Sequence, residues 1–96
     1  TYVSNVVEAN LLAANKEGAA GKVFNVACGV RTTVNNLVEE LNDIFESSIQ
    51  ATYTRPRPGE VKHSLADIRK ARKLLRYNPS IDFQDGLHRT VKWFSQ

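Results

Sequence analysis

At 96 residues the chain is one small domain or part of a larger one, and its 42% hydrophobic and 24% charged content is ordinary for a soluble globular protein and argues against disorder as the default. No apolar run approaches the roughly 20 residues of a bilayer span. The first residues also lack the basic-then-apolar pattern of a secretory signal. A single cysteine, Cys28, excludes an internal disulfide and suits a reducing, cytoplasmic setting, while a net charge of +3 suits an anionic ligand without demanding one.

Taken in chain order, Val6, Val7, Ala9, Leu11, Leu12, Ala13 and Ala14 predict an apolar helix that starts near Asn5 and stops at Gly18 and Gly21. Lys22–Ala27 reads as a short strand rich in β-branched residues. Thr32 or Thr33 is a suitable N-cap for a second helix carrying Val34, Leu37, Val38, Leu41 and Ile44-Phe45. Ile49–Thr54 reads as another strand, which completes a right-handed βαβ crossover. Arg55-Pro56-Arg57-Pro58-Gly59 must be a loop. Asp67 then caps a helix with Ile68, Ala71, Leu74 and Leu75 on its buried side, ended by Tyr77-Asn78-Pro79. A last helix runs from about Phe83 to Phe94, with Trp93 in the core. The expectation is a small α/β module of two or three short strands and about four helices, a single domain over residues 1–96. Several helices are apolar on more than one side, so the module is expected to rest against another domain.

Chemistry concentrates in Arg55 to Ser64. Two arginines on a proline-stiffened loop present fixed forks of donors that match phosphate oxygens, and proline lowers the entropy lost on binding. Glu60, three residues after Arg57, can accept from the two hydroxyls of a sugar, and Gly59 lets a ligand or backbone come close. The pattern fits a nucleotide; it also fits an exposed loop whose arginines pair with surface acids. His63, His88 and Cys28 lack ligand-like spacing, so no metal site is indicated. Arg69, Lys70, Arg72, Lys73 and Arg76 form a basic helix face without an aromatic platform, which reads as solvated rather than as a nucleic-acid surface.

Six segments in order resemble the C-terminal third of extended short-chain dehydrogenase/reductase enzymes that act on nucleotide sugars. They are Tyr2-Val3-Ser4-Asn5-Val6-Val7-Glu8-Ala9, Val23-Phe24-Asn25-Val26-Ala27-Cys28-Gly29, Arg57-Pro58-Gly59-Glu60-Val61, Ser64 to Ala71, Leu74 to Pro79, and Gly86-Leu87 through Trp93. Within that family the chain looks most like the UDP-sugar 4-epimerases that accept N-acetylated sugars. The resemblance implies that Arg57 contacts the pyrophosphate, Glu60 binds the ribose hydroxyls, Val34 packs near the base, and Ser64 lies beside the sugar. A small residue at position 64 leaves room for an N-acetyl group by steric logic. Departures are Asn5 and Glu60 where the family has Asp, Ala27 for its first glycine after the strand, and Arg76 for its glycine before the tyrosine.

The same resemblance implies machinery that this sequence does not carry. NAD chemistry needs a glycine-rich βαβ unit, and no such unit is present. The family's Tyr-x-x-x-Lys base is also absent, because Tyr2, Tyr53 and Tyr77 are followed four residues on by Val6, Arg57 and Ile81. The chain, which opens on Thr1 rather than methionine, is thus expected to be the substrate-binding portion of an NAD-dependent UDP-sugar 4-epimerase. It would bind a UDP-sugar and a missing Rossmann domain, hold no cofactor itself, supply no catalytic residue, and have no membrane partner. Two alternatives stand beside it. One is a free-standing, non-catalytic module that binds nucleotides or self-associates through its orphaned domain-facing surface; the other is a lobe from a UDP-glucuronate decarboxylase or epimerase.

Overall fold

Four helices carry the structure, a computed structural model describing residues 1–96: α1 (Val3–Asn15), α2 (Val34–Phe45), α3 (Arg69–Leu75) and α4 (Phe83–Phe94). The chain divides into two compact units, one of Thr1–Gly29 with Ala66–Gln96 and one of Val30–Leu65. The expected strands do not form, so the chain is all-helical rather than α/β, and the βαβ crossover is absent. A strand is a paired object, and β-branched composition supplies propensity without supplying a partner. The backbone of Lys22–Ala27 is held by side chains instead of a ladder. Lys70 Nζ donates to the Val23 carbonyl at 2.8 Å, Asn25 Nδ2 to the Asp67 carbonyl at 3.4 Å, and the Tyr77 hydroxyl to the Ala27 carbonyl at 2.9 Å. Ile49 is anchored likewise by one side chain. Asn42 Nδ2 donates to its carbonyl at 3.0 Å and Asn42 Oδ1 accepts from its N–H at 3.1 Å.

The first unit holds the core. Ala9, Ala19, Ile68, Ala71, Leu75 and Tyr77 are buried, with Leu12, Ala13, Phe24, Val26 and Ala27 packed against them. α1 turns Asn5, Ala9, Leu12 and Ala13 inward, the spacing of one helical face, and packs on α3 where Ala9 and Ala71 allow close approach. α3 buries Ala71 and Leu75, with its N-cap Ile68 buried beside them, and turns its cations outward. It ends when Arg76 takes a left-handed φ of 55°, which directs the N–H groups of Arg76 and Tyr77 to the Ala71 carbonyl. α4 begins at Asp82, whose carboxylate accepts from the Asp85 N–H at 2.8 Å. Gly86 lies so close to Tyr2 that a Cβ there would meet the Tyr2 Cβ at 2.8 Å, and Arg89 lies over the Tyr2 ring at 5.8 Å. Tyr2, the residue before α1, is thereby seated on α4. Trp93, expected in the core, is instead exposed together with Phe94, and the two rings meet edge to face.

The second unit has no fully buried residue. α2 starts with a complete capping box, in which the Thr33 hydroxyl accepts from the Asn36 N–H at 3.0 Å and Asn36 Oδ1 accepts from the Thr33 N–H at 3.4 Å. Its Leu37, Val38, Leu41 and Ile44 are half-buried along one face. A stretch of 36 residues is too short to enclose a core of its own.

Candidate functional site

All four sequence-predicted site residues, Val34, Arg57, Glu60 and Ser64, fall in the second unit and are exposed. Arg57 and Glu60 are brought together by a tight turn. The Glu60 N–H donates to the Arg57 carbonyl at 3.2 Å, and Gly59 at the third position has φ +83°. Proline at the second position and a left-handed glycine at the third are what a type II turn requires, so Pro58-Gly59 specifies the geometry. Glu60 Oε2 also accepts from the Arg57 N–H at 3.3 Å, closing the turn from both sides. The turn thus ends in one carboxylate and begins with one guanidinium.

That guanidinium is unpaired. The chain's two ion pairs lie elsewhere, between Arg69 and Asp67 and between Arg89 and Asp85. Neither Arg55 nor Arg57 takes part in an ion pair. Val34 is the first residue of α2 and is 76% exposed. Its neighbour Asn35 accepts from the Tyr53 hydroxyl at 3.0 Å, which ties an exposed aromatic ring to the start of α2. Eighteen residues separate the two, and no local sequence signal announces the pair. Ser64 lies on the same irregular segment as the turn and makes no side-chain hydrogen bond.

The basic face of α3 is partly spent. Arg69 is bound to Asp67 through three short contacts of 2.6 to 3.0 Å, and this pairing holds the Asp67 carboxyl down at about 2. Lys70 is committed to the Val23 carbonyl and the Phe24 ring. An open depression of about 480 Å³ lies between Asp67, Arg69, Lys70, Lys73 and Leu74. With an anion on its rim and two of its cations engaged, it is a poor phosphate cradle. No group of histidine, cysteine and acidic residues is arranged to hold a metal.

Gly29 is the one left-handed glycine in close contact, and the atom it approaches is Ile68 Cδ1, 2.9 Å from where a Cβ would sit. Its conformation serves packing, and no strand leads into a glycine-rich helix start.

No family profile matches the chain. Individual proteins do. A putative UDP-glucose 4-epimerase of Methanocaldococcus jannaschii is 36% identical over 92 residues, covering 96% of this chain and 29% of that protein. A solved UDP-glucose 4-epimerase of Thermotoga maritima, bound to UDP-glucose, superposes with a TM-score of 0.89 at 39% identity over 99% of this chain and 30% of its own. A UDP-N-acetylglucosamine 4-epimerase of Methanobrevibacter ruminantium, in complex with UDP-N-acetylmuramic acid, gives 0.87 at 41% identity over the same shares. The chain matches the C-terminal part of an extended short-chain dehydrogenase/reductase epimerase. The chain spans about 30% of the length of the proteins it matches. A further neighbour, a UDP-glucuronic acid 4-epimerase of Bacillus cereus with NAD and a fluorinated UDP-sugar bound, covers the whole lobe at 27% identity and a TM-score of 0.89. In none of the helices is there a span long and apolar enough to cross a membrane.

Proposed function

We propose that the lobe is the substrate-binding part of an NAD-dependent UDP-sugar 4-epimerase, with an N-acetylated hexose favoured, and that it does not catalyse alone. The observation that carries this reading is the Arg57–Glu60 turn, with its unpaired guanidinium, on a lobe that superposes along nearly its full length on enzymes holding UDP-sugars. Arg57 would grip the diphosphate with paired N–H donors, which match phosphate oxygens better than a lysine could. Glu60, already held by the Arg57 N–H, would accept from the ribose hydroxyls. Val34 would pack on the base, and Ser64 would leave space beside the sugar. In the assembled enzyme NAD supplies a reversible hydride loan, and the lobe's task is to hold the sugar in place for it.

The uronate-type relatives favour one further arm. A UDP-glucuronate 4-epimerase of Thermodesulfobacterium geofontis is 29% identical over 97% of the chain. Binding of UDP, uridine, UDP-N-acetylglucosamine and UDP-glucuronate to the lobe and to its Arg57→Ala form separates these ideas. Arg57→Ala should weaken every diphosphate ligand and leave uridine unchanged. Equal loss for uridine, or no loss at all, would remove Arg57 from the diphosphate.

A further inference from the structure

We infer that Asn35 reads the base of the nucleotide: its side-chain amide, oriented by Tyr53, turns its NH2 end to the 4-carbonyl of uracil and so selects uridine over cytidine nucleotides. This rests on taking the second unit as the nucleotide-sugar site, and every residue involved lies within that unit.

Two adjacent asparagines open α2, and they do different things. Asn36 builds the helix start, its Oδ1 accepting from the Thr33 N–H and, at 2.6 Å, from the Thr33 hydroxyl. Asn35 takes no part in that cap. Its Oδ1 accepts from the Tyr53 hydroxyl at 3.0 Å, and its Nδ2 has no partner in the chain. Tyr53 is 77% exposed, so packing does not account for where its hydroxyl sits. The bond to Asn35 does.

That bond gives the amide a direction. A phenol is a good donor and a poor acceptor, because its oxygen shares a lone pair with the ring, while an amide oxygen accepts well. The pair therefore settles with the hydroxyl donating to Oδ1, which leaves Nδ2 as a free donor beside Val34. Arg57 and Glu60 match the charged diphosphate and the ribose diol. A neutral amide next to Val34 suits the neutral edge of the base. Uracil carries a carbonyl at C4, where cytosine carries an amino group. Nδ2 donates to the carbonyl but meets the amino group donor to donor, which leaves both N–H groups unpaired. Asn35 is exposed, so a hydrogen bond of this kind is worth only about three- to tenfold in affinity.

The test is an amide-resolved NMR titration of the lobe with UDP and with CDP, which share ribose and diphosphate. The parent should bind UDP about three- to tenfold more tightly than CDP, and the Asn35 Nδ2 protons should shift with UDP. Tyr53→Phe keeps the ring and frees the amide to turn either end outward, so the preference should shrink to within about twofold. Asn35→Asp offers acceptors only and should reverse it in favour of CDP. Its added charge repels both diphosphates alike, and an acid in the first turn of a helix is well tolerated. A bond that merely ties the loop to α2 would change both affinities together and leave their ratio alone. Equal binding of UDP and CDP by the parent, or a ratio unmoved by either substitution, would overturn the inference while leaving the substrate-binding reading intact. Binding of neither nucleotide at millimolar concentration would overturn that reading and this inference with it.

Discussion

Replacing Asn5 tests how the first unit is locked. Asn5 is fully buried in α1, and its amide answers both backbone groups of Ile81, 76 residues away. Nδ2 donates to the Ile81 carbonyl at 2.7 Å, and Oδ1 accepts from the Ile81 N–H at 3.1 Å. Nδ2 also approaches the Cys28 sulfur at 3.9 Å. Asn5→Ala removes both bonds and orphans a donor and an acceptor, each worth about 1–3 kcal/mol when buried. Ile81 is only half-buried, so water recovers part of the loss and the expected cost is about 2–4 kcal/mol. That is a large share of the ~5–15 kcal/mol typical of a domain. In urea unfolding the midpoint should fall by roughly 1–2 M with the slope unchanged. Asn5→Asp sharpens the test. A protonated acid can still donate to the carbonyl and accept from the N–H, whereas a carboxylate cannot donate. Burial and the facing carbonyl both raise the folded-state pKa above the unfolded value of about 3.9. The variant should therefore approach the parent near pH 4, lose stability as pH rises through the folded pKa, and then level off. A cost below about 0.5 kcal/mol for Asn5→Ala, or an Asn5→Asp penalty independent of pH, would refute the amide clamp.

Arg76→Gly should stabilise the lobe by about 0.5–1 kcal/mol. It relieves a left-handed φ of 55° that costs a non-glycine residue about 1–2 kcal/mol, less the extra entropy of glycine when unfolded; thermal melts would show it. Gly86→Ala should go against helix propensity. The roughly 1 kcal/mol gained by alanine is outweighed because its Cβ would press on the Tyr2 Cβ, which cannot move without the start of α1; a net loss of about 1 kcal/mol is expected in the same melts. Asp67 should titrate at about 2 by carboxyl NMR and return to the ordinary range near 4 in Arg69→Gln. Because its folded pKa is lowered, the stabilisation from this pair is present above about pH 4 and lost as pH falls through about 2. The pair is fully exposed, so its effect on unfolding should be slight.

The helices were legible because their signals are local. Leu37, Val38, Leu41 and Ile44 repeat at helical spacing, and Thr33 caps the chain where the pattern begins, whereas the Asp82 cap of α4 was not read and the α3 N-cap is Ile68 rather than Asp67. The strands at Lys22–Ala27 and Ile49–Thr54 were misread because β-branched runs state a preference while pairing depends on a distant partner. The side chains that hold these runs, Lys70, Tyr77 and Asn42, act across up to 50 residues and leave no periodic trace. Trp93 was misplaced for a related reason, since hydrophobic character does not tell a covered helix face from an open one. At the candidate site the Pro58-Gly59 pair does encode its turn, because only that chemistry suits a type II geometry. The union of Asn35 and Tyr53 emerges only from the fold. The family's glycine before the tyrosine also gains a reason, for Arg76 occupies the left-handed position that glycine would fill without strain.

The measurement that tests the central claim most directly is an amide-resolved NMR titration of the lobe with UDP-N-acetylglucosamine, with an oligonucleotide as comparison. The account predicts shifts confined to Val34–Asn36 and Arg57–Ser64, saturating weakly at around millimolar ligand, and no such pattern with the oligonucleotide. Shifts centred on the basic face of α3, or no response to the nucleotide sugar at millimolar concentration, would contradict it.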